Sequence, residues 1–200
     1  IPLCTSPPDA ATSILELVEL VDGVQNDAIR RCYNHLIRNH YMVMLQAMGG
    51  WSYHHDYPGG LLVHTVGVMQ KVKSMSEMVH CNNTVATELL MLAALIHDLG
   101  KGLNIMPGRT DVVYKSLRHE QLSICMALPA LVTLEQEWPE AASYLMPILN
   151  WLCTPPASRY PRQFPDAQLV QMSDTLDVIQ DRALNLSLIH ISEPTRPSQI

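Results

Sequence analysis

The sequence has no apolar run of the roughly 18 residues that a membrane-spanning helix needs, and no signal-peptide pattern. Its five cysteines, Cys4, Cys32, Cys81, Cys125 and Cys153, are scattered, odd in number and without a CxxC pair. That argues against a disulfide framework or a zinc ribbon and suits free thiols in a reducing, cytoplasmic setting. Positive charge is also short: 13 Lys and Arg stand against 19 Asp and Glu, a net charge of −6. No global basic field recruits nucleic acid, so a polyanion would have to meet a local patch or a metal ion. A single Phe and scattered Tyr and Trp provide no stacking platform, and no stretch alternates with the period of a strand.

What is present is a globular chain of 200 residues, 48% hydrophobic and rich in Met, enough for one sizeable core. It begins with Ile rather than Met, so the natural start is expected to be missing. Pro2, Pro7 and Pro8 keep the first residues irregular. Ile14, Leu17, Val18 and Val21 then mark a helix, and Ile29, Tyr33, Leu36, Ile37, Met44 and Leu45 a second, over 27–48. A third is expected over 60–79 on Leu62, Val66, Met69, Val72 and Val79. Asn83 caps a fourth, "TVATELLMLAALIHDLG", apolar on nearly every side and closed by Gly100.

After a loop containing a Pro107-Gly108 turn, helices are expected over 117–137 and 140–152, interrupted or bounded by Pro129 and Pro139. A proline-rich connector leads to a last helix with a stripe of Leu169, Met172, Leu176 and Ile179. Together these predict an all-α domain without repeats. "LSLIHISEPTR", from Leu186, resembles the translation of a sequencing adaptor. Residues 186–200 are therefore expected to be a non-native tail, and His190 is set aside.

The chemistry lies in two short stretches, "SYHHDYPGGLLVHT" and "LAALIHDLGKG". An unpaired carboxylate on an apolar helix costs several kcal/mol, so Asp98 requires a partner or a cation. Adjacent residues of a helix point about 100° apart, so His97 and Asp98 could share an ion only near the helix end, where Gly100 lets the chain turn. The plain alternative is a core histidine beside a carboxylate bonded to backbone. His64, one turn into its own helix, and Asp174, inside the apolar pattern of the last helix, supply the residues that can converge with the pair in a bundle core.

This pattern resembles the HD superfamily of metal-dependent phosphohydrolases, whose signature is H…HD…D. The resemblance implies an HD-domain helical bundle with His64, His97, Asp98 and Asp174 as metal ligands. It spans roughly Asn34 to Arg182. "HHDYPGGLLVHT" and "RQFPDAQLVQMSDTLDV" are similar to the HD domain of bacterial 3′–5′ exoribonucleases, and the first also to TraI-type conjugative relaxase/helicase proteins. Residues 51–185 would form the HD domain, with 1–50 a helical segment packed on it. Many such enzymes carry further histidines before the final Asp. Here "PILNWLCTPP" has none and only His119 is available, which favours one ion over two.

Two imidazoles and two carboxylates suit Mn, Fe, Zn, Ni or Co. The implied activity is hydrolysis of a phosphate ester, with single-stranded RNA or DNA or a free nucleotide as substrate. Asp98 is expected to act as both ligand and orienter of the attacking water, and Lys101 to hold phosphate oxygens. Arg109, Arg159 and Arg162 are further candidates for phosphate and His119 for a substrate contact, while at least one of His54 and His55 is expected to reach substrate phosphate or to stand behind a metal ligand. Asp177 and Asp181 read as surface charge, and His35, His40 and His80 as structural or exposed. The alternative is a non-catalytic HD module of a conjugative DNA-processing protein.

Overall fold

A computed structural model describes residues 10–50, 54–81, 83–104, 114 and 116–191, with side chains described as far as residue 184. The prolines of the expected irregular start, the Pro107-Gly108 turn and Arg109 lie outside the described residues.

Helix α1 (Ala10–Asp22) buries Ser13, Leu17 and Val21, one residue per turn. Ile14 and Val18, expected on the same stripe, are exposed. Helix α2 (Asp27–Gln46) begins where the Asn26 side chain accepts from the N–H groups of Ala28 and Ile29, relieving two of the unpaired donors of a helix start. It buries Ile29, Cys32, Tyr33, Leu36 and Met44. The Tyr33 hydroxyl donates across the core to the Glu88 carbonyl at 2.8 Å.

Helix α3 (Gly60–His80) enters the core at once: Gly60 through Val66 are all buried, whereas Val79 near its end is exposed. Helix α4 (Thr84–Ile96) is capped by Asn83, as expected, and every residue from Ala86 to Ile96 is buried. A turn through His97–Gly100 leads into the short α5 (Lys101–Asn104). Helix α6 (His119–Glu137) runs through Pro129 without a break, and α7 (Pro139–Cys153) has Pro139 at its first position, where no amide hydrogen is needed. A 3-10 turn (Pro156–Ser158) leads on to α8 (Pro165–Ile191), which continues past Asn185.

The architecture is all-α, and no strand occurs among the described residues. Helix α3 lies at the centre, packed mainly on α4 and α8, while α6 packs on α7 and α2. The faces of α8 differ from expectation. Ala167, Leu169, Val170, Ser173 and Asp177 are buried, but Met172, Leu176 and Ile179 are exposed. Asp174 and Asp177, one turn apart, share the inward side, so Met172, Leu176 and Ile179, which stand one, two or five positions from them, are turned out.

Candidate metal centre

The packing of α3, α4 and α8 brings together four side chains from distant parts of the chain. His64 is the fifth residue of α3 and is 0% exposed. His97 ends α4, its N–H bonded to the Ala93 carbonyl, and Asp98 follows in the turn. Asp174 arrives from α8. His64 Nε2 lies 3.2 Å from Asp98 Oδ2 and 3.2 Å from Asp174 Oδ1. His97 Nε2 lies 3.4 Å from Asp98 Oδ2 and 3.9 Å from Asp174 Oδ1. One donor atom from each residue falls within 4.8 Å of every other.

The outward nitrogens of both imidazoles are occupied. His64 Nδ1 is 2.7 Å from Asp177 Oδ2, and His97 Nδ1 is 2.6 Å from the Ala94 carbonyl. An ionised carboxylate and a carbonyl only accept, so each Nδ1 carries its hydrogen. Both Nε2 atoms then face the centre. His97 Nε2 is buried and has no hydrogen-bond partner among the described residues. A buried, unpartnered imidazole nitrogen beside two carboxylate oxygens fits a divalent cation, which would accept a lone pair from each.

The electrostatics agree. Burial opposes a charged His64, yet Asp174, Asp177 and Asp98 outweigh it and raise His64 well above the ordinary imidazole value. His97 is raised against burial by Asp98 and Asp174. Burial also opposes charge on Asp98, but Lys101, His97, His119 and His64 hold it well below the usual carboxylate range. Asp174 is depressed against burial by His64 and His97. The centre therefore favours positive charge, from protons or from a cation taking their place.

Gly100 sets the next layer. A Cβ there would run into the His119 carbonyl, and would lie 2.6 Å from the Ser123 amide. Without one, the end of α4 lies against the start of α6. Gly100 N–H donates to Ser123 Oγ at 2.8 Å, and that hydroxyl is 3.0 Å from the His97 and His119 carbonyls. His119 Nε2 consequently sits 3.3 Å from Asp98 Oδ1, the oxygen opposite the one nearest His64. A cleft of about 140 Å³ opens here, lined by His97, Asp98, His119, Arg159, Gln171 and Asp174 among others. Arg159 is placed by stacking 3.9 Å from the Trp151 ring centroid and by donating to Gln171 at 2.9 Å.

The profile of the HD domain family matches residues 61–179, more than half of the chain. The chain belongs to the HD domain family. Two curated relatives, each called 3′–5′ exoribonuclease YhaM, come from Halalkalibacterium halodurans and Shouchella clausii. Each is 28% identical over 110 residues, covering 54% of this chain and 33% of the relative. The chain thus spans about a third of the length of the curated relatives it matches. No solved structure matches it. HD domains bind divalent metals, and the His-Asp group described here is one that could hold such an ion. Among the described residues, no helix is long and apolar enough to cross a membrane.

The remaining candidate residues lie around this centre or apart from it. Lys101, expected to reach phosphate, is buried; its ammonium donates to the Gly49 carbonyl at 2.7 Å and pairs with Asp98. His55, expected to reach either substrate phosphate or a place behind a metal ligand, is buried behind His64, with Nε2 2.9 Å from Asp177 Oδ2. The His54 ring centroid is 5.6 Å from that of His64, and its Nδ1 is buried without a partner among the described residues. Arg162 is exposed. His80 joins Asp166 at 2.9 Å, a tie between α3 and α8.

Asp177, read as surface charge, is 6% exposed and is bonded to His55, His64 and Lys71. Asp181 accepts the His55 amide at 3.2 Å rather than standing free. The readable signal was spacing: Asp177 is one helical turn beyond Asp174, and Gly67 is one turn beyond His64, on the helices that pack together.

Proposed function

We propose that this HD domain is a metal-dependent phosphohydrolase acting on phosphate esters of nucleic acid or nucleotides, with single-stranded RNA or DNA as the substrate class. His64, His97, Asp98 and Asp174 would hold one divalent ion, of Mn, Fe, Zn, Ni or Co. The observation that carries this is the convergence of two Nε2 atoms and two carboxylate oxygens around the buried, unpartnered nitrogen of His97. The relatives called exoribonucleases support a nucleic-acid substrate.

When bound, the cation supplies Lewis-acid polarisation of a phosphate oxygen and lowers the pKa of a water molecule. The chain's own residues do the rest. Arg159, held over the Trp151 ring and by Gln171, pairs with a non-bridging phosphate oxygen in the cleft. Asp98 uses the oxygen that faces His119 to accept a hydrogen bond from the attacking water and orient it. Lys101 keeps Asp98 ionised and fixed. The water oxygen bonds to phosphorus, its proton passes to solvent, and the bond to the leaving oxygen breaks. His119, at the mouth of the cleft, supplies that oxygen with a proton.

The test is hydrolysis of bis-p-nitrophenyl phosphate and a panel of oligonucleotides, deoxynucleoside triphosphates and cyclic nucleotides, with added Mn²⁺, Ni²⁺ or Co²⁺. Metal-dependent turnover that Asp98→Ala abolishes is the expected result; activity retained in Asp98→Ala overturns the assignment. A second reading, an accessory HD module without turnover, is favoured by the lack of histidine in "PILNWLCTPP". Absence of turnover with all three ions would establish it instead.

A further inference from the structure

The side of His64 turned away from the centre is as fully built as the side turned toward it. Asp177 Oδ2 accepts from His64 Nδ1 at 2.7 Å and from His55 Nε2 at 2.9 Å, while Oδ1 accepts from Lys71 at 2.8 Å. With its Nε2 donating, His55 has Nδ1 free to accept, and the Tyr57 hydroxyl donates to it at 3.3 Å. The His55 backbone stands at φ 47°, a left-handed conformation uncommon for a non-glycine residue, with its amide held by Asp181. Helix α3 leaves room for this web only because residue 67 is glycine: a Cβ there would overlap Asp177 Oδ1.

The two imidazoles of the centre are therefore backed differently. His97 leans on a neutral carbonyl, His64 on a buried carboxylate. A carboxylate behind an imidazole fixes its tautomer, aims the opposite nitrogen and strengthens it as a donor. We infer that Asp177 is a positioning residue for the cation, with His55, Lys71 and Gly67 holding it in place behind His64. The inference rests on the metal-centre reading above. His55, His64 and Asp177 also lie close enough to hold an ion of their own. The Lys71 ammonium on Asp177 and the hydrogen on His64 Nδ1 oppose that use.

The experiment titrates Zn²⁺ into the full chain by calorimetry and records the imidazole ¹⁵N–¹H spectrum of the loaded protein. Wild type is expected to bind one ion and to show a strongly downfield His64 Nδ1–H proton. Asp177→Asn keeps the shape and one acceptor oxygen but removes the charge. It should lower affinity about tenfold, and Asp177→Ala up to about a hundredfold, with stoichiometry and circular dichroism unchanged. Gly67→Ala should act like Asp177→Ala by displacing the carboxylate. In each variant the Nδ1–H resonance moves upfield, a shift that mere loss of packing would not produce.

Wild-type affinity in Asp177→Asn overturns the inference, even if Asp177→Ala weakens binding, because the charge then has no role. Two ions bound by wild type and one by Asp177→Asn also overturn it, since Asp177 would then be a ligand. Failure of the underlying reading looks different: wild type binds no ion, or His97→Ala binds as well as wild type. Should Asp177→Ala not fold, Asp177→Asn alone decides.

Discussion

Helices α4 and α8 both deliver metal-centre candidates, and they do so in opposite ways. Helix α4 is apolar apart from Thr84, Thr87 and Glu88, is buried from Ala86 to Ile96, and places His97 and Asp98 only where the helix has ended. Helix α8 carries Asp174 and Asp177 on its inward side and turns Met172, Leu176 and Ile179 outward. A helix that is apolar on nearly every side has no face to misassign. A helix whose polar residues have partners inside can reverse the usual pattern, because a paired or ligating carboxylate is stable where an unpaired one is not.

The sharpest break of this contrast is removal of the inward carboxylate. Asp174→Ala should reduce metal-dependent turnover on the order of a hundredfold or more, with the helical circular dichroism spectrum retained. Turnover near wild type would show that the inward face of α8 serves packing alone. Next comes the core of α4. Leu92 is fully buried, so Leu92→Ala should cost about 2–5 kcal/mol in a urea melt.

A smaller effect follows from pH. The cation needs both Nε2 lone pairs, and His64 and His97 are raised above the ordinary imidazole value, with burial opposed by the carboxylates. Protons therefore compete as pH falls through those raised values, while Asp98 and Asp174, both depressed, stay ionised. Affinity should drop about tenfold per pH unit for each proton displaced, as measured by chelator competition. A flat profile would mean that the imidazoles do not bind the ion. The smallest effect completes the comparison: Leu176→Gln, on the exposed face of α8, should change stability by no more than about 0.5 kcal/mol.

Helix existence was legible because capping signals are local: Asn83 acts within a turn of where it stands. The H…HD…D pattern was legible because its residues are chemically out of place in apolar helices. The orientation of α8 was not, since a period of 3.6 fixes which residues share a face but not which face is turned inward. For the same reason Asp177 passed as surface charge: its partners His55, His64 and Lys71 are more than 100 residues away in sequence. Lys101 was misplaced on the opposite ground. A lysine beside an HD pair suggests a phosphate anchor, but burial and the Gly49 carbonyl hold it against Asp98.

The most direct measurement is anomalous diffraction from a crystal of the full chain soaked in Zn²⁺ or Mn²⁺. One peak is expected, about 2.0–2.3 Å from His64 Nε2, His97 Nε2 and one oxygen each of Asp98 and Asp174. A peak away from those four atoms, or none at a saturating metal concentration, would contradict the account.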